Sequence, residues 1–178
     1  MRALNKDFLT DLYAGGKMGI YKALIRFVGF TGGISIYLAA KAVTGIANIN
    51  VRRQELNANT KNIMRPLFPY LDLERIRLRP GSTLPANWFG SRLKYVAITF
   101  GYTIYCTGKE MQSTNKNLNV IMHELVHTDQ IRKRGNRETK FATDYGKGYL
   151  TAGNYRRNPL EEEAFDFVNL HRLYEGLS

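Results

Sequence analysis

Two histidines four residues apart with a glutamate beside the first, His123-Glu124-Leu125-Val126-His127, are the residues of this chain best suited to chemistry. Positions four apart on an α-helix stand one above the other on the same face, so two imidazoles at this spacing reach a single tetrahedral ion together. One zinc ion is expected. Glu124 projects beside the pair, where a carboxylate can act as general base on a zinc-bound water. At ordinary residue frequencies the pattern arises by chance in about one chain of this length in several hundred, and here it takes two of only three histidines. The rival reading, two ordinary helix histidines without metal, is opposed by the helical context the motif needs.

A reactive zinc takes three protein ligands and keeps one position for water. Glu161, Glu162 and Glu163 open a second predicted helix and offer the third ligand. Glu161 is preferred, because Ala164 and Phe165 follow at three and four residues and form a stripe that lets the helices approach. Glu163, followed by Phe167, stays open, as does Glu162. Asn158-Pro159-Leu160-Glu161 also has the N-cap and N3 arrangement of a capping box, in which Glu161 would merely cap its own helix. Gln130 lies on the metal face, placed to hydrogen-bond a ligand. Tyr145, Tyr149 and Tyr155 fall in a glycine-rich segment read as the connection between the helices. A phenol there would stabilise a tetrahedral oxyanion, and Tyr155 is the residue chosen for that role. His171, about 15 Å beyond Glu161 along the helix, is read as a surface residue.

The elements that must position these groups are written in hydrophobic spacing. Leu118, Ile121, Met122, Leu125 and Val126 recur three and four apart over residues 118–134, with N-cap candidates at 113–117 and Gly135 in the C-cap position. The second helix starts at Asn158 with Pro159 in its first turn and runs toward Gly176. Residues 95–106, YVAITFGYTIYC, are β-branched and aromatic and predict a strand or a hairpin bent at Gly101. Residues 73–79 alternate as a short half-buried strand, and the polar stretch 51–65 reads as a linker or an exposed helix. The expected fold is α+β, with a small antiparallel sheet packed on the metal helix and the glutamate helix.

Ahead of this domain, expected over residues 61–178, stands a helical, hydrophobic leader over residues 1–60. Fourteen uncharged residues, 27–40, lie within it. They fall short of the roughly 20 apolar residues of a spanning helix, so they read as a glycine-interrupted helical hairpin or a membrane-leaning leader. Contact with a membrane surface or a partner protein is expected through residues 18–51. The formal charge of +11 is spread along the chain, with eight basic and three acidic residues in 1–60 and eighteen and twelve in 61–178. That spread argues against nucleic-acid binding. Arg132, Lys133 and Arg134 sit where a helix ends and meet its dipole. The single cysteine, Cys106, excludes an intrachain disulfide framework and reads as packing.

The string HELVHTDQ, followed by a basic turn with Gly135 and then by NPLEEEAF, resembles the small bacterial zinc metallopeptidase-like domains of the minimal gluzincin, H-E-L-x-H-x-x-Q type. Some of those accompany toxins and contractile injection systems. The likeness covers residues 64–175. It implies a zincin-like fold, His123 and His127 as ligands, Glu124 as base and Glu161 as third ligand, the last because an E-x-x-A pattern is matched by Glu161 and Ala164. Many relatives place an Asp directly after that Ala, whereas Phe165 stands here and Asp166 follows, which keeps Glu162 and Glu163 in play. The expected activity is zinc-dependent hydrolysis of a peptide or protein substrate lying along a sheet edge. The alternative is a non-hydrolytic zinc-binding structural or carrier module of a secretion or toxin system, and a third reading is a basic surface-binding protein with incidental histidines. A secreted or membrane-associated bacterial setting is favoured over the cytoplasm.

Overall fold

The computed structural model describes residues 33–84 and 96–173. Helix α1 (Gly33–Ala47) comes first, followed by strand β1 (Gln54–Glu55), helix α2 (Ala58–Met64), a 3-10 turn (Leu73–Arg75) and strand β2 (Arg77–Pro80). Strands β3 (Ala97–Phe100) and β4 (Thr103–Cys106) form a hairpin. Helices α3 (Asn115–Lys133), α4 (Glu138–Ala152) and α5 (Pro159–Leu170) complete it, with a 3-10 turn at Tyr155–Arg157 before α5.

The fold is α+β, but the sheet is mixed rather than antiparallel. Its order is β1-β2-β4-β3, and β2 runs parallel to β4, with Leu78 opposite Ile104. The alternating pattern of residues 73–79 is shared by parallel and antiparallel strands, so only the route of the chain decides. The strand there is also shorter than expected, since Leu73–Arg75 close a 3-10 turn whose N-cap, Asp72, accepts from the Glu74 amide. The β3–β4 hairpin turns at Gly101, whose φ of 62° suits glycine.

Burial sorts the two faces of the sheet. Leu78, Ala97, Ile104 and Cys106 join Ile121, Met122, Leu125 and Ala164 in the main core, under α3 and α5. The opposite face carries Phe100 and Tyr105, covered by Leu84 and by Tyr37 and Ala40 of α1. Part of the expected leader therefore packs on the outer face of the sheet. The Tyr37 hydroxyl donates to Glu138 of α4 at 2.8 Å and accepts from the Gly101 amide at 3.2 Å, while Lys41 meets the same carboxylate at 2.6 Å. Residues 27–32 of the uncharged stretch, and residues 174–176 at the expected end of the second helix, lie outside the described residues.

Helix α3 begins and ends where its sequence directs. Thr114 caps it by accepting from the Asn117 amide, and Gly135, at φ 72°, lets the Gly135 and Asn136 amides return to the carbonyls of Arg132 and Ile131. Helix α4 corrects the glycine-rich connection expected between the two site helices. Its Gly148 is there for proximity. A Cβ at that position would lie 2.5 Å from Asn158 Oδ1 and 3.0 Å from Pro159 Cδ, so the backbone of α4 crosses directly over the start of α5.

Gly148→Ala tests that crossing. In an exposed helix the change stabilises by about 1 kcal/mol, but forcing a methyl into a closed contact costs about 1–3 kcal/mol. The expected net result is a loss of up to about 2 kcal/mol, read from the midpoint of urea unfolding; a gain would show that the helices do not cross here.

Candidate metal centre

Helix α3 carries His123 and His127 one turn apart with both rings buried, their centroids 4.9 Å apart. Helix α5 delivers Glu161 from its first turn. Its Oε2 lies 3.1 Å from His123 Nε2 and its Oε1 lies 3.4 Å from His127 Nε2. One ligand atom from each of the three residues lies within 4.8 Å of the others. Metal–ligand bonds of about 2.0–2.2 Å in a tetrahedral arrangement separate donors by roughly 3.3–3.5 Å, so two imidazoles and a carboxylate at these distances fit a divalent ion such as zinc.

The capping-box role for Glu161 does not form: its carboxylate turns to His123, His127 and Tyr145, and the Asn158 backbone amide it would accept from donates to the Tyr155 carbonyl at 3.1 Å instead, while the Asn158 side chain accepts from the Leu160 amide at 3.2 Å. Asn158 is fully buried and donates from Nδ2 to the Tyr145 carbonyl, tying α4 to α5 at the glycine crossing. Of the other two glutamates, Glu162 is exposed and Glu163 turns to Gln130 Nε2 and Lys133 Nζ.

Gln130 fixes the orientation of His127. Its Nε2 donates to the Leu160 carbonyl and to Glu163 Oε2, both at 2.9 Å. Its Oε1 must then be the atom facing His127 Nδ1 at 2.9 Å, and it accepts that N–H. Nε2 of His127 is thereby the ring nitrogen turned toward the cluster.

Among the tyrosines the structure brings Tyr145 to the carboxylate, its hydroxyl donating to Glu161 Oε1 at 2.6 Å. Tyr155 packs its ring on Phe165 at 6.2 Å, and Phe165 in turn lies 4.7 Å from the His123 ring. Tyr149 is exposed, and His171 stacks on Phe167 away from the cluster. The spacing Phe141, Tyr145, Gly148 is a helical stripe, the signal that points to Tyr145 once the glycines are allowed inside a helix. Thr99 is a second partner that sequence reasoning missed. From β3 its hydroxyl donates to Glu124 Oε2 at 2.7 Å, placing the carboxylate of the motif against the sheet. Nothing in the local spacing of residues 97–100 signals that contact.

Burial alone would draw the His127 imidazole down, but the hydrogen bond and charge of Glu161, with the charge of Glu124, push it up to about 9. Burial would raise Glu161, and the hydrogen bonds from His123, His127 and Tyr145 overcome it and hold the carboxyl well below its usual range. Burial, aided by the charge of Glu124, pushes the Cys106 thiol up to about 12, so it stays a protonated packing group.

In the ion-free chain a proton on His127 therefore contributes stability that is complete below the ordinary histidine value of 6.5 and fades as pH rises through about 9. An incoming ion must displace that proton. Metal affinity is expected to rise about tenfold per pH unit between neutrality and pH 9 and then level off. Calorimetric titration in buffers of different ionisation enthalpy counts the proton; a flat pH dependence would show His127 already neutral.

An α+β domain with a candidate metal centre of two histidines and a glutamate, assembled on helices packed beneath a small mixed sheet, is the class that fold and site define. Residues 55–135 match the family model described as the eCIS core domain, the core of the extracellular contractile injection system. The match supports the contractile-injection-system association implied by the resemblance. It includes His123, Glu124, His127 and Gln130 and stops before Glu161. No curated protein and no solved structure matches the chain.

Proposed function

We propose that this domain is a metal-binding component of a contractile injection system, holding one zinc ion on His123, His127 and Glu161 and working in association with other proteins of that assembly. The observation that carries the reading is the convergence of three ligand atoms within 4.8 Å. Gln130 and Tyr145 brace them. The family match supplies the setting. A zincin-like arrangement, with the motif helix beneath an edge strand, and a secreted or membrane-associated bacterial location belong to the same proposal. Metal analysis of the full chain after gentle purification at neutral pH tests it, with one zinc per chain expected. A chain that holds no zinc and takes up none would be a basic domain with incidental histidines.

Hydrolysis of peptide bonds is a second reading, favoured by Glu124. Zinc bound at this site would supply Lewis acidity, polarising a carbonyl and acidifying water. Glu124, anchored by Thr99, supplies the carboxylate that accepts a proton. Among the described residues, strand β3 is an edge of the sheet. The Val96 carbonyl accepts from the Thr107 amide at 2.9 Å, so the antiparallel ladder turns the main-chain groups of Ala97 and Thr99 outward, where an extended peptide would add. Tyr155, whose ring packs on Phe165 beside the His123 ring, is the candidate phenol for an oxyanion. Exposure of the zinc-loaded chain to a broad peptide library separates the two readings. Full zinc with no cleavage rejects hydrolysis and leaves the structural or carrier module.

A further inference from the structure

Five of the nine large apolar side chains exposed among the described residues fall within residues 34–49: Ile34 at 38%, Leu38 at 50%, Val43 at 43%, Ile46 at 73% and Ile49 at 75%. The protein-facing side of α1 is different in kind. Tyr37, Lys41, Thr44 and Asn48 recur at four, three and four residues, and each is engaged. Tyr37 and Lys41 bind Glu138, Thr44 is buried, and Asn48 bonds the main chain of Thr83 through both ends of its amide. Around the helix from them run Ile34, Leu38 and Ile46, with Ile49 in the turn beyond, as a continuous aliphatic stripe.

Charge says what such a stripe suits. No acidic residue lies between Asp11 and Glu55, whereas Lys17, Lys22, Arg26, Lys41, Arg52 and Arg53 do. Arg52 and Arg53 are exposed at the end of the stripe. A second copy would bring the same cationic zone against itself. The exposed side chains of the stripe are all aliphatic, without the Trp or Tyr that anchors protein interfaces. Exposed aliphatic residues that lead into the exposed Arg52 and Arg53, in a stretch of sequence without acidic residues, make the composition of a helix lying in a membrane interface, where anionic headgroups meet the basic residues.

We infer that α1 and the turn after it, residues 34–53, are a docking surface for an anionic lipid bilayer, with the aliphatic stripe entering the headgroup boundary and Arg52 and Arg53 meeting lipid phosphates and carboxylates. The surface is separate from the metal centre: the inference deepens the membrane-associated location in the proposed function, and its vesicle test can fail while the zinc site stands. No described helix is long and apolar enough to cross a bilayer; the contact is with the membrane face.

The test is co-sedimentation of the full chain with vesicles of equimolar phosphatidylserine and phosphatidylcholine, beside vesicles of phosphatidylcholine alone. Binding is expected to the anionic vesicles, to fall with added salt, and to weaken at least about tenfold in the double variant Leu38→Asp, Ile46→Asp and in Arg52→Glu, Arg53→Glu. Circular dichroism and metal content should match the parent in both. Absence of binding, equal binding to both vesicles, or binding unchanged in the variants overturns the inference. So does a concentration-dependent dimer abolished by Leu38→Asp, Ile46→Asp, which would assign the stripe to a second copy. A fall in that variant's thermal midpoint without lipid would assign it to residues 1–32, and retention by an injection-system protein without vesicle binding would make it a protein interface.

Discussion

Glu161→Ala is expected to purify with less than about a tenth of the zinc of the parent chain, since a histidine pair alone lacks the third ligand that a stable site needs. The same change should weaken the ion-free fold. Glu161 is 2% exposed and takes hydrogen bonds from Tyr145 and, depending on protonation, from both histidines. Removing one member of a buried charged network strands its partners at a cost of about 3–5 kcal/mol. Zinc content by mass spectrometry and urea unfolding with a chelator present read the two effects separately. Glu163→Ala is the control. It loses a contact to Gln130 and an exposed pair with Lys133, and is expected to keep its zinc with a change below about 1 kcal/mol. Zinc retained in Glu161→Ala but lost in Glu163→Ala would reverse the ligand assignment.

Under the hydrolytic reading, Glu124→Gln is expected to retain zinc and reduce peptide cleavage by about 10²–10⁴-fold, the contribution typical of a positioned general base. The substitution preserves shape, and the Thr99 hydroxyl still finds an oxygen on the amide, so folding and metal content should match the parent. What disappears is a group able to accept a proton at neutral pH. Single-turnover cleavage of the best library peptide, at equal zinc occupancy, isolates that loss. An unchanged rate would remove Glu124 from the reaction.

The pair of ligands on α3 was legible because their geometry is local: a helix fixes the relation of positions 123 and 127 whatever surrounds it. Gln130 was legible for the same reason, being seven residues from His123 and on the same face. The third ligand was readable only in part. Three adjacent glutamates point in directions about 100° apart around α5, and only packing selects one; the buried Ala164 beside Glu161 marks the side of closest approach. Helix α4 was misread because glycine lowers helix propensity, and nothing in the chain announces that Gly148 is required by a neighbour placed ten residues later. The parallel pairing of β2 with β4 is a property of the path between them, and strand β1 is two residues long, too short to carry a period. Tyr145 followed the fate of its helix. Once α4 is drawn, its hydroxyl falls on Glu161.

The hydroxyl of Tyr37 reaches the Gly101 amide across 64 residues and the Glu138 carboxylate across 101. Loop closure over such separations is slow, whereas α3, α4 and α5 are consecutive and meet through short connections. The three-helix unit should consequently assemble early in refolding and the first helix should dock last. Pulsed hydrogen exchange would then find the main-chain amides of α3 protected before that of Gly101.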